Sequence, residues 1–149
     1  MAIDKRRCYG EHFTPIAIFE NFILPEIRDE IYNYVWVDLY AGEGNLILPI
    51  LELVPKSYRI DFFKKHIFLF DIQEELVNKM IDNACKNYDI PRDVATQNIR
   101  QRDSIFDYPT FLLDLPIPVF HITNPPYLYV GYIRKHNELQ HYLKYIAWY

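Results

Sequence analysis

Glycine is scarce in this chain, at four in 149 residues. It is the residue that tolerates positive φ and close backbone approach. Two of the four stand together in AGEG, residues 41–44, which marks that turn as special. Cysteine is scarcer still. Cys8 and Cys85 form no CxxC pair and no zinc spacing, which excludes a disulfide framework and fits a reduced, cytoplasmic setting. The five histidines (His12, His66, His121, His136, His141) make no metal-ligand motif, so no metal is expected. There is no apolar run of about 18 residues and no N-terminal leader pattern, so neither a membrane span nor a signal peptide is predicted. Excess positive charge is missing too. Lys and Arg total 16 against 20 Asp and Glu, a net charge of −4. That argues against a large phosphate-binding surface, while leaving room for a local one.

What remains is a globular composition, 50% hydrophobic and 17% aromatic, enough for a single domain over 1–149 with a real core. No repeat or low-complexity linker interrupts it. Residues 1–12 are polar and predict a mobile lead-in. TPIAIFENFILPEIRDEIYNY reads as helical from apolar spacings of three and four, with Thr14 as N-cap, Pro15 at the first helical position and a kink at Pro25. YVWVDLY (34–40) and HIFLFD (66–71) read as buried strands. TQNIRQRDSI holds a weaker third strand and PVFHIT (118–123) a fourth. NLILPILELV predicts a helix that Pro49 shortens or kinks, QEELVNKMIDNACKNY a clear amphipathic helix, and YIRKHNELQHYLKYIAWY a last helical stretch. Alternating strands and crossover helices predict an α/β fold with a mostly parallel sheet and helices on both faces.

In such sheets ligands sit at the carboxyl ends of the strands, and the unusual residues fall there. Asp38 stands before the Gly42–Gly44 turn. That turn lacks the third glycine of a dinucleotide fingerprint and the lysine of a P-loop, so a pyrophosphate site is disfavoured. A carboxylate at this place repels phosphate and attracts a cationic amino group. Asp71 ends the second strand, where it can accept ribose hydroxyls or cap the helix that follows. Asp103, after the third strand, can accept from an adenine amino group, with Ile72 and Phe106 on either side of the ring. Taken alone, it also reads as a solvated loop acid.

The fourth corner, NPPY at 124–127, is the most specific. Paired prolines make a stiff, extended segment. The amide oxygen of Asn124 and the carbonyl of Pro125 can accept both hydrogens of a heteroaromatic amine, favouring the localised lone pair that a nucleophile needs. Tyr127 offers a face on which to stack a base taken out of a helix.

In this order, HFTP (12–15), DLYAGEG, FLFD, RDSIF and NPPY resemble the gamma-class adenine-N6 DNA methyltransferases, which use S-adenosylmethionine. The resemblance spans residues 9 to about 131. It implies a Rossmann-like class I methyltransferase fold. It implies that Phe13, Thr14 and the loop of Asp38, Tyr40, Ala41, Gly42 and Gly44 hold the methionine end of the cofactor. Asp71 would hold the ribose and Asp103 the adenine amino group, with Ile72, Ser104 and Phe106 also at the cofactor. Asn124, also beside the cofactor, would act with Pro125 and Tyr127 on the target base. Family members continue well beyond NPPY into further strands and a target-recognition domain. The chain is therefore expected to be a cofactor-binding portion, cut after about the fourth strand. It would reach double-stranded DNA through missing C-terminal regions or a partner subunit, and would self-associate through an exposed sheet edge. A protein-glutamine methyltransferase acting on release factors also uses NPPY, but that family lacks the HFTP segment. A non-catalytic cofactor-binding module is the third alternative.

Overall fold

The computed structural model describes residues 13–125, and Phe13–Asn124 form one unit within them. The expectations for residues 1–12, for Tyr127 and for a helix over 132–149 lie outside the described residues.

Four strands form one parallel sheet: β1 (Val35–Asp38), β2 (Ile67–Asp71), β3 (Ile99–Gln101) and β4 (Val119–His121). Their spatial order is β3-β2-β1-β4. Trp36 pairs with Ile67 and with Phe120, and Asp71 pairs with Gln101. The chain therefore walks outward from β1 to β3, then returns to the other side of β1. That reversal puts a topological switch point between β1 and β4, and the carboxyl ends beside it are where an open α/β sheet takes its ligand. The α/β, parallel-sheet expectation holds, with every strand shorter than predicted.

Side-chain alternation divides the sheet's two faces. Trp36, Ile67 and Leu69 join the larger core, and Val35, Val37, Phe68 and Phe70 the smaller. The larger core is built with α4 (Glu74–Tyr88), which buries Leu76, Val77, Met80, Ile81, Ala84 and Tyr88 as one stripe. It ends where Asp89 turns left-handed at φ 58°, and Ile90 N–H reaches back to Ala84 O at 3.2 Å, a Schellman-type stop sealed by the buried Ile90. Pro91 then opens α5 (Arg92–Asn98). This helix, and α3 (Arg59–His66), were not predicted. Both are short and carry no long apolar period. His66, expected in the second strand, ends α3 instead, with Nδ1 2.8 Å from Tyr34 O. Asn98 ties the two helices together by donating its amide to Phe63 O and Ile67 O at 3.0 Å.

Helices on both faces were expected. Among the described residues the smaller core is instead covered by the segment around a 3-10 turn, Thr110–Asp114, through Tyr108, Phe111, Leu112 and Leu115. NLILPILELV is a 3-10 turn over Leu48–Leu53 rather than an α-helix, with Pro49 in its first turn, where the missing N–H is tolerated. The N-terminal run also differs. It is α1 (Ile16–Ile18), a π-helical turn (Phe19–Ile23), α2 (Leu24–Ile27) and a 3-10 turn (Arg28–Glu30). The wide turn lies just ahead of Pro25, where Leu24 N–H bonds Phe19 O, and a π-bulge is a known way for a helix to absorb such a break. Thr14 is not the N-cap: Pro15 takes that position, with no side-chain cap. The reason is that the Thr14 hydroxyl has another partner.

Candidate functional site

The site begins with Asp38 at the end of β1. It is 1% exposed. Its Oδ1 accepts from Tyr40 N–H at 3.0 Å and from the Thr123 hydroxyl at 2.7 Å. Among the described residues both hydrogen bonds fall on this one oxygen, and no lysine, arginine or histidine pairs with the carboxylate. Burial accordingly pushes the Asp38 carboxyl up to about 7, against the pull of Thr123 and Tyr40 and with a further push from Asp71. A buried carboxylate without a counter-charge is costly. It is also the chemistry that an incoming ammonium would relieve.

The glycine turn follows directly. Gly42 and Gly44 lie at φ +57° and +87°, which only glycine adopts without strain. A Cβ on Gly44 would meet Leu48 Cδ1 at 2.7 Å, and one on Gly42 would meet the Phe13 ring at 3.1 Å. Three of the turn's four amides are engaged within the protein. Ala41 N–H bonds Phe70 O at 2.8 Å, Gly42 N–H bonds Asp71 Oδ2 at 3.0 Å and Gly44 N–H bonds Ala41 O at 2.8 Å. They do not form an anion nest, which agrees with the sequence argument against a pyrophosphate site.

The segment Phe13–Thr14 closes over this turn. Phe13 lies against Gly42. Asn45 donates to Thr14 O at 3.1 Å, and Asn124 Nδ2 donates to Thr14 Oγ1 at 3.3 Å. Backbone pairing carries β4 one residue further, with Ile122 N–H on Val37 O at 2.9 Å. Thr123 and Asn124 are thereby delivered beside the end of β1. Phe13, Thr14, Asp38, Gly42 and Asn124 thus meet at the switch point.

Asp71, at the end of β2, is a clamp. Its Oδ2 takes Gly42 N–H, and its Oδ1 takes Gln73 N–H at 2.9 Å, just ahead of α4. The helix-capping role and the site role are therefore combined in one side chain. Beyond it, Arg102 N–H bonds Asp71 O at 2.8 Å, which sets the third corner on the same rim. There Asp103 O accepts from Phe106 and Asp107 N–H in a tight turn. Ser104 Oγ is buried without a hydrogen-bond partner, while Ile72 is half-buried and Phe106 is exposed. Pro125 is exposed and closes the described residues.

Compared with known proteins, the chain matches no protein-family model and no curated protein sequence. Its chemistry has to be read from the rim itself. Two polar residues in that rim were not picked out from the sequence, Asn45 and Thr123. The available signal was adjacency, since each directly follows or precedes a residue that was: Asn45 after Gly44, Thr123 before Asn124. The donor set is two buried carboxylates, a threonine hydroxyl, an unpartnered serine hydroxyl and an asparagine amide. Its buried carboxylates disfavour a phosphate. Among the described residues no cluster of His, Cys, Asp and Glu is placed to hold a metal ion, and no helix is long and apolar enough to cross a membrane.

Proposed function

We propose that this chain binds S-adenosylmethionine along the carboxyl rim of its sheet and serves methyl transfer to an amino group, the N6 of adenine in DNA. The observation that carries the reading is Asp38, buried at the switch point without a cation among the described residues and one hydrogen-bonded residue away from Asn124. S-adenosylmethionine brings an ammonium for Asp38, ribose hydroxyls for the Asp71 corner, and an adenine ring for Ile72, Ser104 and Phe106. The unpartnered Ser104 hydroxyl supports a polar ring edge in that place, because a buried hydroxyl without a partner costs about 1–3 kcal/mol. When bound, the cofactor supplies an electrophilic methyl group on a sulfonium. Asn124 and Pro125 supply acceptors for the hydrogens of the target amine, and the acceptors sharpen its lone pair as the new bond forms.

Calorimetric titration of the whole chain tests the first half. S-adenosylmethionine should bind, and adenosine, which lacks the ammonium, should bind at least about tenfold more weakly, a difference of about 1.4 kcal/mol. Asp38→Asn should remove that difference. Equal affinity for both ligands in the wild type would exclude Asp38 as the ammonium site. A labelled-methyl assay tests the second half, with duplex DNA, single-stranded DNA and a glutamine-bearing peptide as acceptors. Label on adenine supports the proposal, and label on the peptide alone would move it to the protein-glutamine class. Asn124→Ala should keep cofactor affinity and lose transfer.

A further inference from the structure

We propose that Thr123 is a positioning residue. Its hydroxyl, fixed on Asp38 Oδ1, favours the charged form of that carboxyl group and turns it so that Oδ2 meets the cofactor's ammonium. The identity of the cation rests on the reading above. The role of the hydroxyl rests on geometry alone.

Thr123 Oγ1 lies 2.7 Å from Asp38 Oδ1, a well-formed O–H···O hydrogen bond. The partner on the same oxygen is Tyr40 N–H at 3.0 Å, from the turn after β1 itself. One oxygen is thus held from two sides, once by each strand that borders the switch point. This fixes the plane of the carboxyl group and leaves Oδ2 as the oxygen not engaged by a hydrogen bond among the described residues. Thr123 can reach Asp38 only because Ile122 N–H continues the pairing to Val37 O.

The surroundings make this one hydroxyl matter. Desolvation drives Asp38 towards its neutral form, and Asp71 across the strand ends adds to that push. The two donors on Oδ1 are the opposing influences. The glycine turn carries an acid, Glu43, and α4 presents Asn83 to Glu43 O at 3.5 Å. His121, two residues before Thr123, pairs with Val37 rather than with Asp38 and bonds Tyr108 Oη at 3.1 Å on the opposite face. Among the described residues, neither β1, the end of β2 nor the residues just after β4 bring a positive charge to Asp38. Without the hydroxyl, the carboxyl would hold its proton to still higher pH, and the ammonium would meet an uncharged group over more of the neutral range.

The test follows the Asp38 side-chain carboxyl carbon by ¹³C NMR from pH 4 to 9 in the full chain, together with S-adenosylmethionine titrations at pH 6.0 and 7.5. Thr123→Val keeps the shape and removes the donor. It should raise the Asp38 midpoint and weaken binding about tenfold for each unit of that rise, with the larger loss at pH 6.0. Thr123→Ser should keep both the midpoint and the affinity close to wild type. An unchanged midpoint in Thr123→Val would overturn the proposal. So would a Thr123→Ser variant as impaired as Thr123→Val, since that would make the methyl group and its packing the important part. If Thr123→Val does not fold, Thr123→Ala is read against Thr123→Ser in the same way. A shifted midpoint with no heat from S-adenosylmethionine in the wild type would leave Thr123 as the residue that sets Asp38 and would refute the cofactor assignment instead.

Discussion

Asp38 and Asp71 end neighbouring strands of one parallel sheet, and both are buried, at 1% and 7% exposure. Asp71 uses each of its oxygens to hold a backbone N–H, one in the glycine turn and one ahead of α4. Asp38 takes both of its hydrogen bonds on a single oxygen. The first arrangement is that of a structural brace. The second leaves part of a buried charge without a partner, which a stable core does not require and a binding site does. Two aspartates at equivalent strand ends thus divide the work. One fixes the shape of the turn, and under the proposed function the other would face the ligand.

The comparison is broken most severely at Asp71. Asp71→Ala leaves Gly42 and Gln73 N–H without their acceptor. At about 1–3 kcal/mol for each buried donor, the loss of unfolding free energy should reach about 2–6 kcal/mol by denaturant titration. Cofactor binding should fall with it, because the turn is no longer held. A stable Asp71→Ala protein that loses only affinity would return Asp71 to a purely ribose-binding role.

At Asp38 the sign reverses. The folded-state value of about 7 lies above the ordinary carboxyl value of 3.8. Between those limits the folded protein holds a proton that the unfolded chain has released. The stabilisation is therefore fully present below pH 4 and is lost as pH rises through about 7. The loss amounts to about 4 kcal/mol in the protein without ligand. Asp38→Asn removes this dependence. It should match the wild type in stability near pH 4 and exceed it above pH 7 while failing to bind cofactor, as shown by thermal melts across that range. A wild-type advantage at pH 8 would mean that a counter-charge reaches Asp38 after all.

Gly42→Ala probes the brace from its other end. Positive φ costs alanine about 1–2 kcal/mol, and the new Cβ would press on the Phe13 ring at 3.1 Å. Phe13 is 47% exposed and can move, so the change should be a modest drop in melting temperature and a displaced Phe13 resonance. Gly44→Ala should cost more, because the atom in its way belongs to the fully buried Leu48. The smallest effect is expected at Thr14→Val. It removes the acceptor of Asn124 Nδ2, for about 1 kcal/mol or less, and should appear mainly as a lower methyl-transfer rate. A loss of stability larger than that of Gly42→Ala would show that the Thr14 contact supports the fold rather than the site.

Much of the architecture was legible because it is local. β1 and β2 read as apolar runs, α4 as a stripe, and the AGEG turn from its glycines. The shorter elements were not legible. α3 and α5 hold together through Asn98 and the sheet beneath them, and the Leu48–Leu53 turn depends on how Pro49 packs. The helix start at Thr14 was misread because a threonine before a proline has the composition of a cap. Only the folded chain shows that its hydroxyl is taken by Asn124.

By itself the sequence determined the parallel α/β plan, the placing of unusual residues at the strand ends and the unsuitability of the turn for a pyrophosphate. Each of these follows from residue type, spacing and charge within a short stretch. It could not say which aspartate braces and which faces a ligand, nor that Thr123 and Asn45 belong to the rim. The deciding contacts join residues 29, 31, 85 and 110 positions apart. A carboxylate's role depends on which backbone amides and hydroxyls reach each of its oxygens, and on how much water is left around it. Those quantities exist only once distant segments have been packed together.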